Sequence, residues 1–125
     1  MAGRILIADD EPNIALSLEF LMRDRGYAIA VARNGEEALR LAAEFRPDLV
    51  LLDVMMPVIN GFEVCRRLRA DPLHRGLKIL MLTARGRESE VQRGLSEGAD
   101  AYLTKPFGTQ ELVAIVDKLM AGTRD

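Results

Sequence analysis

A single cysteine, Cys65, stands in the 125-residue sequence, so no internal disulfide can form. Small secreted scaffolds staple themselves with several bridges, and this chain lacks that pattern. No apolar stretch nears the roughly 20 residues that a membrane-spanning helix needs. The run Ile5–Ala8, after Met1-Ala2-Gly3-Arg4, is too brief for a secretory signal. Positive charge is not in surplus: 17 Lys and Arg face 19 Asp and Glu, for a net charge of −2. Without a basic footprint, no direct contact with nucleic acid is expected, and none with a membrane. Linkers, repeats and low-complexity tracts are missing too. The only histidine, His74, lies in Asp71-Pro72-Leu73-His74-Arg75-Gly76 and reads as surface loop. What remains is a cytoplasmic protein of one domain, residues 1–125, with 49% apolar residues to fill a core.

Five short apolar runs are present: Ile5–Ala8, Tyr27–Val31, Leu49–Leu52, Ile79–Leu82 and Ala101–Leu103. Runs that are apolar throughout predict strands covered on both faces, as in a parallel sheet. Helical stripes separate them. Ile14, Leu18, Leu21 and Met22 fall on one helix face, as do Ala38, Leu41, Ala42 and Phe45. Val64, Cys65 and Leu68 form a third stripe, with Cys65 a core residue, and Leu112, Ile115, Val116 and Leu119 form the last. Pro12 suits a first helical turn, and Asn34 with Glu37 and Asn60 with Glu63 have cap-plus-acid spacing. Glu88–Glu97 is the weakest helix, because it holds Gly94, and an interior glycine costs ~1 kcal/mol. Strand and helix therefore alternate five times, which predicts a doubly wound α/β domain with a five-stranded parallel sheet.

In such a sheet, ligands bind beyond the carboxyl ends of the strands. The first strand ends in Asp9-Asp10, the third in Asp53 and the fourth in Thr83-Ala84; Lys105-Pro106 follows the fifth. Taken singly, these residues have plainer explanations: a helix cap for Asp9-Asp10, a turn former for Asp53, a strand residue for Thr83, a surface charge for Lys105. Gathered on one edge, they describe a site. Three carboxylates in a partly dry cleft repel one another unless they take up protons or hold a cation, and an all-oxygen donor set suits Mg²⁺. A lysine and a threonine hydroxyl opposite them can meet phosphoryl oxygens, and a carboxylate is an accepted nucleophile for phosphate.

The same segments resemble the receiver domain of bacterial response regulators, over essentially the whole chain. The resemblance lies in Ile5-Leu6-Ile7-Ala8-Asp9-Asp10-Glu11, Pro47–Pro57, Asn60-Gly61-Phe62-Glu63, Leu80-Met81-Leu82-Thr83-Ala84 and Gly98–Phe107, in that order. It implies a flavodoxin-like sheet in strand order 2-1-3-4-5 flanked by five helices, with no output domain in this chain. It implies that Asp53 is phosphorylated, and that Asp9, Asp10, Asp53 and the Met55 backbone carbonyl hold Mg²⁺. Thr83 and Lys105 would contact the phosphoryl group, Thr83 and Tyr102 would form the switch, and the bond before Pro106 would be cis. The implied partners are a histidine kinase or histidine phosphotransfer protein as donor. A downstream protein would bind the face made by the fourth helix, fifth strand and fifth helix. Val91, Ala101 and Ile115 stand on that face where the subfamily bearing winged-helix DNA-binding domains carries interlocking charges, although Glu111 remains. A homodimer, if formed, would be of another style. The chain would be a phosphoacceptor that slowly dephosphorylates itself, not an enzyme. The alternative is an aspartate-nucleophile phosphatase of the haloacid dehalogenase type, but its second acid, two residues past the nucleophile, is Met55 here.

Overall fold

The computed structural model describes residues 3–84, 93 and 96–121. In chain order they form β1 (Arg4–Ala8), α1 (Pro12–Asp24), β2 (Ala28–Ala32), α2 (Gly35–Phe45), β3 (Leu49–Asp53), α3 (Gly61–Ala70), β4 (Lys78–Ala84), β5 (Ala101–Lys105) and α4 (Thr109–Ala121). A short 3₁₀ turn, Pro72–His74, joins α3 to β4. The expected helix Glu88–Glu97, with Val91 and Gly94, lies outside the described residues except at Arg93, Ser96 and Glu97. Arg85 and Arg87 lie outside them too.

The five strands pair in the order β2-β1-β3-β4-β5, every pair parallel. Side chains alternate between the faces of a strand, so each apolar run feeds two core layers at once. Leu6, Ala8, Val50, Leu52, Ile79 and Met81 pack against Ala38 and Ala42 of α2 and Phe62, Cys65 and Leu68 of α3. Ile5, Ile7, Leu49, Leu51, Leu80 and Leu82 pack on the other side, against Leu18 and Met22 of α1 and Leu112, Val116 and Met120 of α4. Strands without alternation arise because both faces are covered.

The helix starts follow local chemistry. Pro12 takes the first turn of α1. The Asn34 side chain accepts from the Glu37 N–H at 2.8 Å, and that of Asn60 from the Glu63 N–H at 3.0 Å. The acids do not return the bond to their own caps: Glu37 accepts from Arg33 N–H, and Glu63 is taken by Arg66 and Arg67.

His74 corrects the sequence reading. It is buried, with 7% of its surface exposed, not a surface loop residue. The Asp71 side chain accepts from Leu73 N–H and tightens the 3₁₀ turn that folds the imidazole inward. Burial pushes the His74 pKa below its ordinary value, Asp71 opposes that, and Arg46 reinforces it.

One arginine joins the end of α3 to the strands beyond. Arg69 donates to the carbonyls of Leu77 (2.5 Å) and Gly98 (2.7 Å) and pairs with Asp100, which also accepts from Ile79 N–H at 2.8 Å. Arg69→Met keeps the aliphatic stem but strands these acceptors. It should cost roughly 2–4 kcal/mol in urea unfolding; a change under ~0.5 kcal/mol, typical of unremarkable surface sites, would show the contacts to be idle.

Candidate functional site

The parallel strands bring their carboxyl ends to one edge, and the polar residues arrive with them. Just past β1, Asp9 N–H donates to the Ala32 carbonyl, extending the pairing with β2. Asp9 is fully buried. Its Oδ1 accepts from Glu11 N–H at 2.9 Å, and its Oδ2 accepts from Lys105 Nζ at 3.0 Å. The acidic pair is thus no helix cap; α1 begins after Glu11 without a side-chain cap. Asp10 points to solvent.

Asp53 ends β3 and is 5% exposed. Its Oδ1 accepts from Met55 N–H at 3.3 Å and lies 3.5 Å from Lys105 Nζ. Asp9, Asp10 and Asp53 each offer a carboxylate oxygen, and the three oxygens lie within 4.8 Å of one another. Thr83 stands on β4 one residue past Leu82, the register partner of Asp53, and Lys105 is the partner of Ala84. Thr83 is fully buried, and its hydroxyl has no hydrogen-bond partner among the described residues. Tyr102 is half-buried on β5 beside Met81, packed on the core layer of α2 and α3. The Lys105–Pro106 peptide is cis.

Glu11 was not singled out from the sequence. Its carboxylate lies 3.6 Å from Lys105 Nζ, which makes it a third acidic neighbour of that ammonium. The acidic run Asp9-Asp10-Glu11 was the available signal. Glu11 and Lys105 also line a cleft of about 570 Å³ between α1 and the segment after β5, together with Ile14, Leu18, Pro106 and Phe107.

One ammonium cannot neutralise this much negative charge. Burial raises the Asp53 pKa first; Lys105 and the Met55 N–H pull it back, while Asp9 and Asp10 add to the rise, and it reaches about 6. For Lys105, burial lowers the pKa, but Asp53, Asp9 and Glu11 outweigh it and hold the ammonium above its ordinary value. A crowded set of hard oxygens with a residual negative charge fits a small divalent cation such as magnesium.

The raised Asp53 pKa sets a pH dependence. The ordinary value for the free carboxyl is 3.8, so the folded protein binds this proton more tightly than the unfolded chain does. The resulting stabilisation is complete below about pH 4 and is lost as the pH rises through about 6. Asp53→Asn cannot titrate there. In metal-free buffer, the unfolding free energy of wild type minus that of the variant should fall between those limits, and saturating magnesium should abolish the fall by favouring the ionised carboxylate. A difference that rises with pH would contradict this electrostatic assignment.

Residues 5–117 match the family model described as the response regulator receiver domain. The chain is 49% identical over 116 residues to the DNA-binding response regulator MtrA of Mycolicibacterium smegmatis, covering 93% of this chain and 50% of that protein. It thus spans about half the length of the curated relatives it matches. Among solved structures, the chemotaxis response regulator CheY4 of Vibrio cholerae superposes with a TM-score of 0.89 at 32% identity, over 95% of this chain and 99% of that one. The receiver domain of the sensor histidine kinase PA1611 of Pseudomonas aeruginosa, solved with a magnesium ion in its active-site cleft, gives 0.88 at 30%, over 97% and 99%. The MtrA match corrects the expectation of no direct nucleic-acid contact. Net charge speaks only for the residues counted, and half of that relative lies outside the match.

Proposed function

Because the chain belongs to the response regulator receiver domain family of two-component signalling, we propose that Asp53 is its phosphoacceptor and that the acidic cluster holds magnesium. One observation carries this reading: a nearly buried Asp53 carboxylate with Lys105 Nζ at 3.5 Å and the oxygens of two more aspartates within 4.8 Å. The phosphodonor is a phosphohistidine of a kinase or phosphotransfer protein. An Asp53 oxygen forms the new O–P bond as the P–N bond breaks, and the electron pair leaves with the imidazole nitrogen, which takes a proton. Magnesium, held by Asp9, Asp10, Asp53 and the Met55 carbonyl, would supply neutralisation of phosphoryl charge. Lys105 then turns from its carboxylates to a phosphoryl oxygen.

Thr83 supplies the response. A buried hydroxyl without a partner costs about 1–3 kcal/mol, and a phosphoryl oxygen on Asp53 gives it an acceptor. Movement of Thr83 toward that oxygen leaves room for Tyr102 to turn inward and alter the face that includes β5 and α4. Thr83→Val should therefore leave the unphosphorylated protein as stable as wild type or more so, while uncoupling phosphorylation from the Tyr102 resonances in magnetic resonance spectra. A Tyr102 response that survives in Thr83→Val would break the link.

A protein donor fits the surface. Leu16 and Phe20, one turn apart on the helix that walls the cleft, are 66% and 76% exposed, more apolar surface than a small phosphodonor would cover. On the strength of the MtrA match, the proposed output is DNA-directed, and the setting is the cytoplasm; no described helix is long and apolar enough to cross a membrane. Slow self-dephosphorylation completes the cycle. The dehalogenase-type phosphatase has no support, since Met55 replaces the second acid. Incubation with magnesium and acetyl phosphate should add one phosphoryl group by intact mass. No gain with magnesium saturating would sink the phosphoacceptor reading.

A further inference from the structure

The loop joining β3 to α3, residues 54–60, carries the Met55 carbonyl, and its conformation is held from outside. Ile59 N–H donates to the Pro57 carbonyl at 2.9 Å, closing a three-residue turn around Val58, whose φ is +72°. Turns of this hand are rare and strained, the more so around a β-branched residue. The Val58 side chain is 74% exposed, so its own burial does not offset the strain. Neighbouring structure has to impose such a conformation.

Gly35, the first residue of α2, does so. Its N–H donates to the same Pro57 carbonyl at 3.3 Å. A Cβ on Gly35 would stand 1.9 Å from the Ile59 carbonyl oxygen and 2.7 Å from its carbon. These are backbone atoms, so a side chain here forces the loop and helix apart. At the other end of the loop, Gly61 N–H donates to the Val54 carbonyl at 2.9 Å, and a Cβ on Gly61 would meet the Asp53 carbonyl oxygen at 2.4 Å. The loop is therefore clamped between the starts of α2 and α3.

We propose that Gly35 is a positioning residue for the metal centre: its bond to Pro57, and its closeness to Ile59, fix the 54–60 loop and with it the direction of the Met55 carbonyl. This rests on the magnesium reading above. Magnesium demands near-ideal octahedral geometry, so a ligand carried on a displaced loop binds it poorly. Admitting a methyl group at Gly35 requires a shift of about 1 Å, the size of misplacement that degrades positioned chemistry.

The test is magnesium titration by calorimetry on wild type, Gly35→Ala and Gly76→Ala. Gly76 lies in the turn before β4, at the opposite edge of the sheet, and a Cβ there meets nothing within 4 Å. Gly35→Ala should weaken magnesium binding about tenfold or more, whereas Gly76→Ala should bind as wild type does. A folded Gly35→Ala protein with wild-type affinity overturns the proposal, even if its metal-free melting temperature falls, because that would be a structural role alone. Should Gly35→Ala not fold, amide hydrogen exchange of wild type decides. Magnesium should slow exchange at the Gly35 N–H along the isotherm seen at Met55, and unchanged exchange at Gly35 overturns the proposal. Absence of magnesium binding to wild type is a separate outcome, which removes the metal-centre reading and this inference with it.

Discussion

Asp53→Asn is expected to abolish phosphoryl uptake from acetyl phosphate, by roughly 10²-fold or more, while leaving the fold intact. The amide matches the carboxylate in shape but lacks the anionic oxygen that attacks phosphorus. Stability should not suffer at neutral pH, because the change removes a buried carboxylate that burial first, and then Asp9 and Asp10, push to a pKa of about 6. Intact mass after incubation with magnesium and acetyl phosphate checks the chemistry, and urea unfolding checks the fold. Retained phosphoryl gain in the variant would move the acceptor to another side chain, with Asp9 and Asp10 the nearest candidates.

Lys105→Met should have the largest effect on stability. The ammonium sits 3.0 Å from Asp9, 3.5 Å from Asp53 and 3.6 Å from Glu11, and its side chain is only 14% exposed. Methionine fills much the same volume but leaves the Asp9 and Asp53 carboxylates buried without their cation. Breaking a buried pair from one side costs about 3–5 kcal/mol, and that loss is expected at pH 7 in metal-free buffer. Saturating magnesium should recover a large part of it and stabilise the variant more than wild type, since the cation then compensates more unpaired charge. Phosphoryl uptake should still fall by about 10²–10³-fold, the usual cost of losing a charge-stabilising donor. Equal urea midpoints for wild type and variant without metal would mean that Lys105 does not neutralise the cluster.

Particular residues show how far the sequence can be read. The run Leu49–Leu52 has no polar break and is a strand buried on both faces. Asn34 and Asn60 cap the helices that follow them, because a cap is a bond across three residues and needs no tertiary contact. One strand end was less legible: β5 takes in Lys105, past its apolar core, since pairing with β4 extends the strand through a polar residue. His74 was misread for a related reason. Pro72, Arg75 and Gly76 around it read as loop, and only the turn after α3 buries it. Val58 gave no warning of a positive φ, a conformation that β-branched residues avoid.

By itself, the sequence determined the five strands, the helices opened by Pro12, Asn34 and Asn60, and the polar residues at the ends of β1, β3 and β4. Those follow from periodicity and capping, which act over a few residues. The distances that make a site came from the tertiary structure alone. Lys105 and Asp9 are 96 residues apart in the chain and 3.0 Å apart in space. The Thr83 hydroxyl, without a partner among the described residues, and the approach of Gly35 to Ile59 are likewise products of strand register and helix packing. Contacts of that kind depend on how several elements dock at once, and no local pattern encodes them.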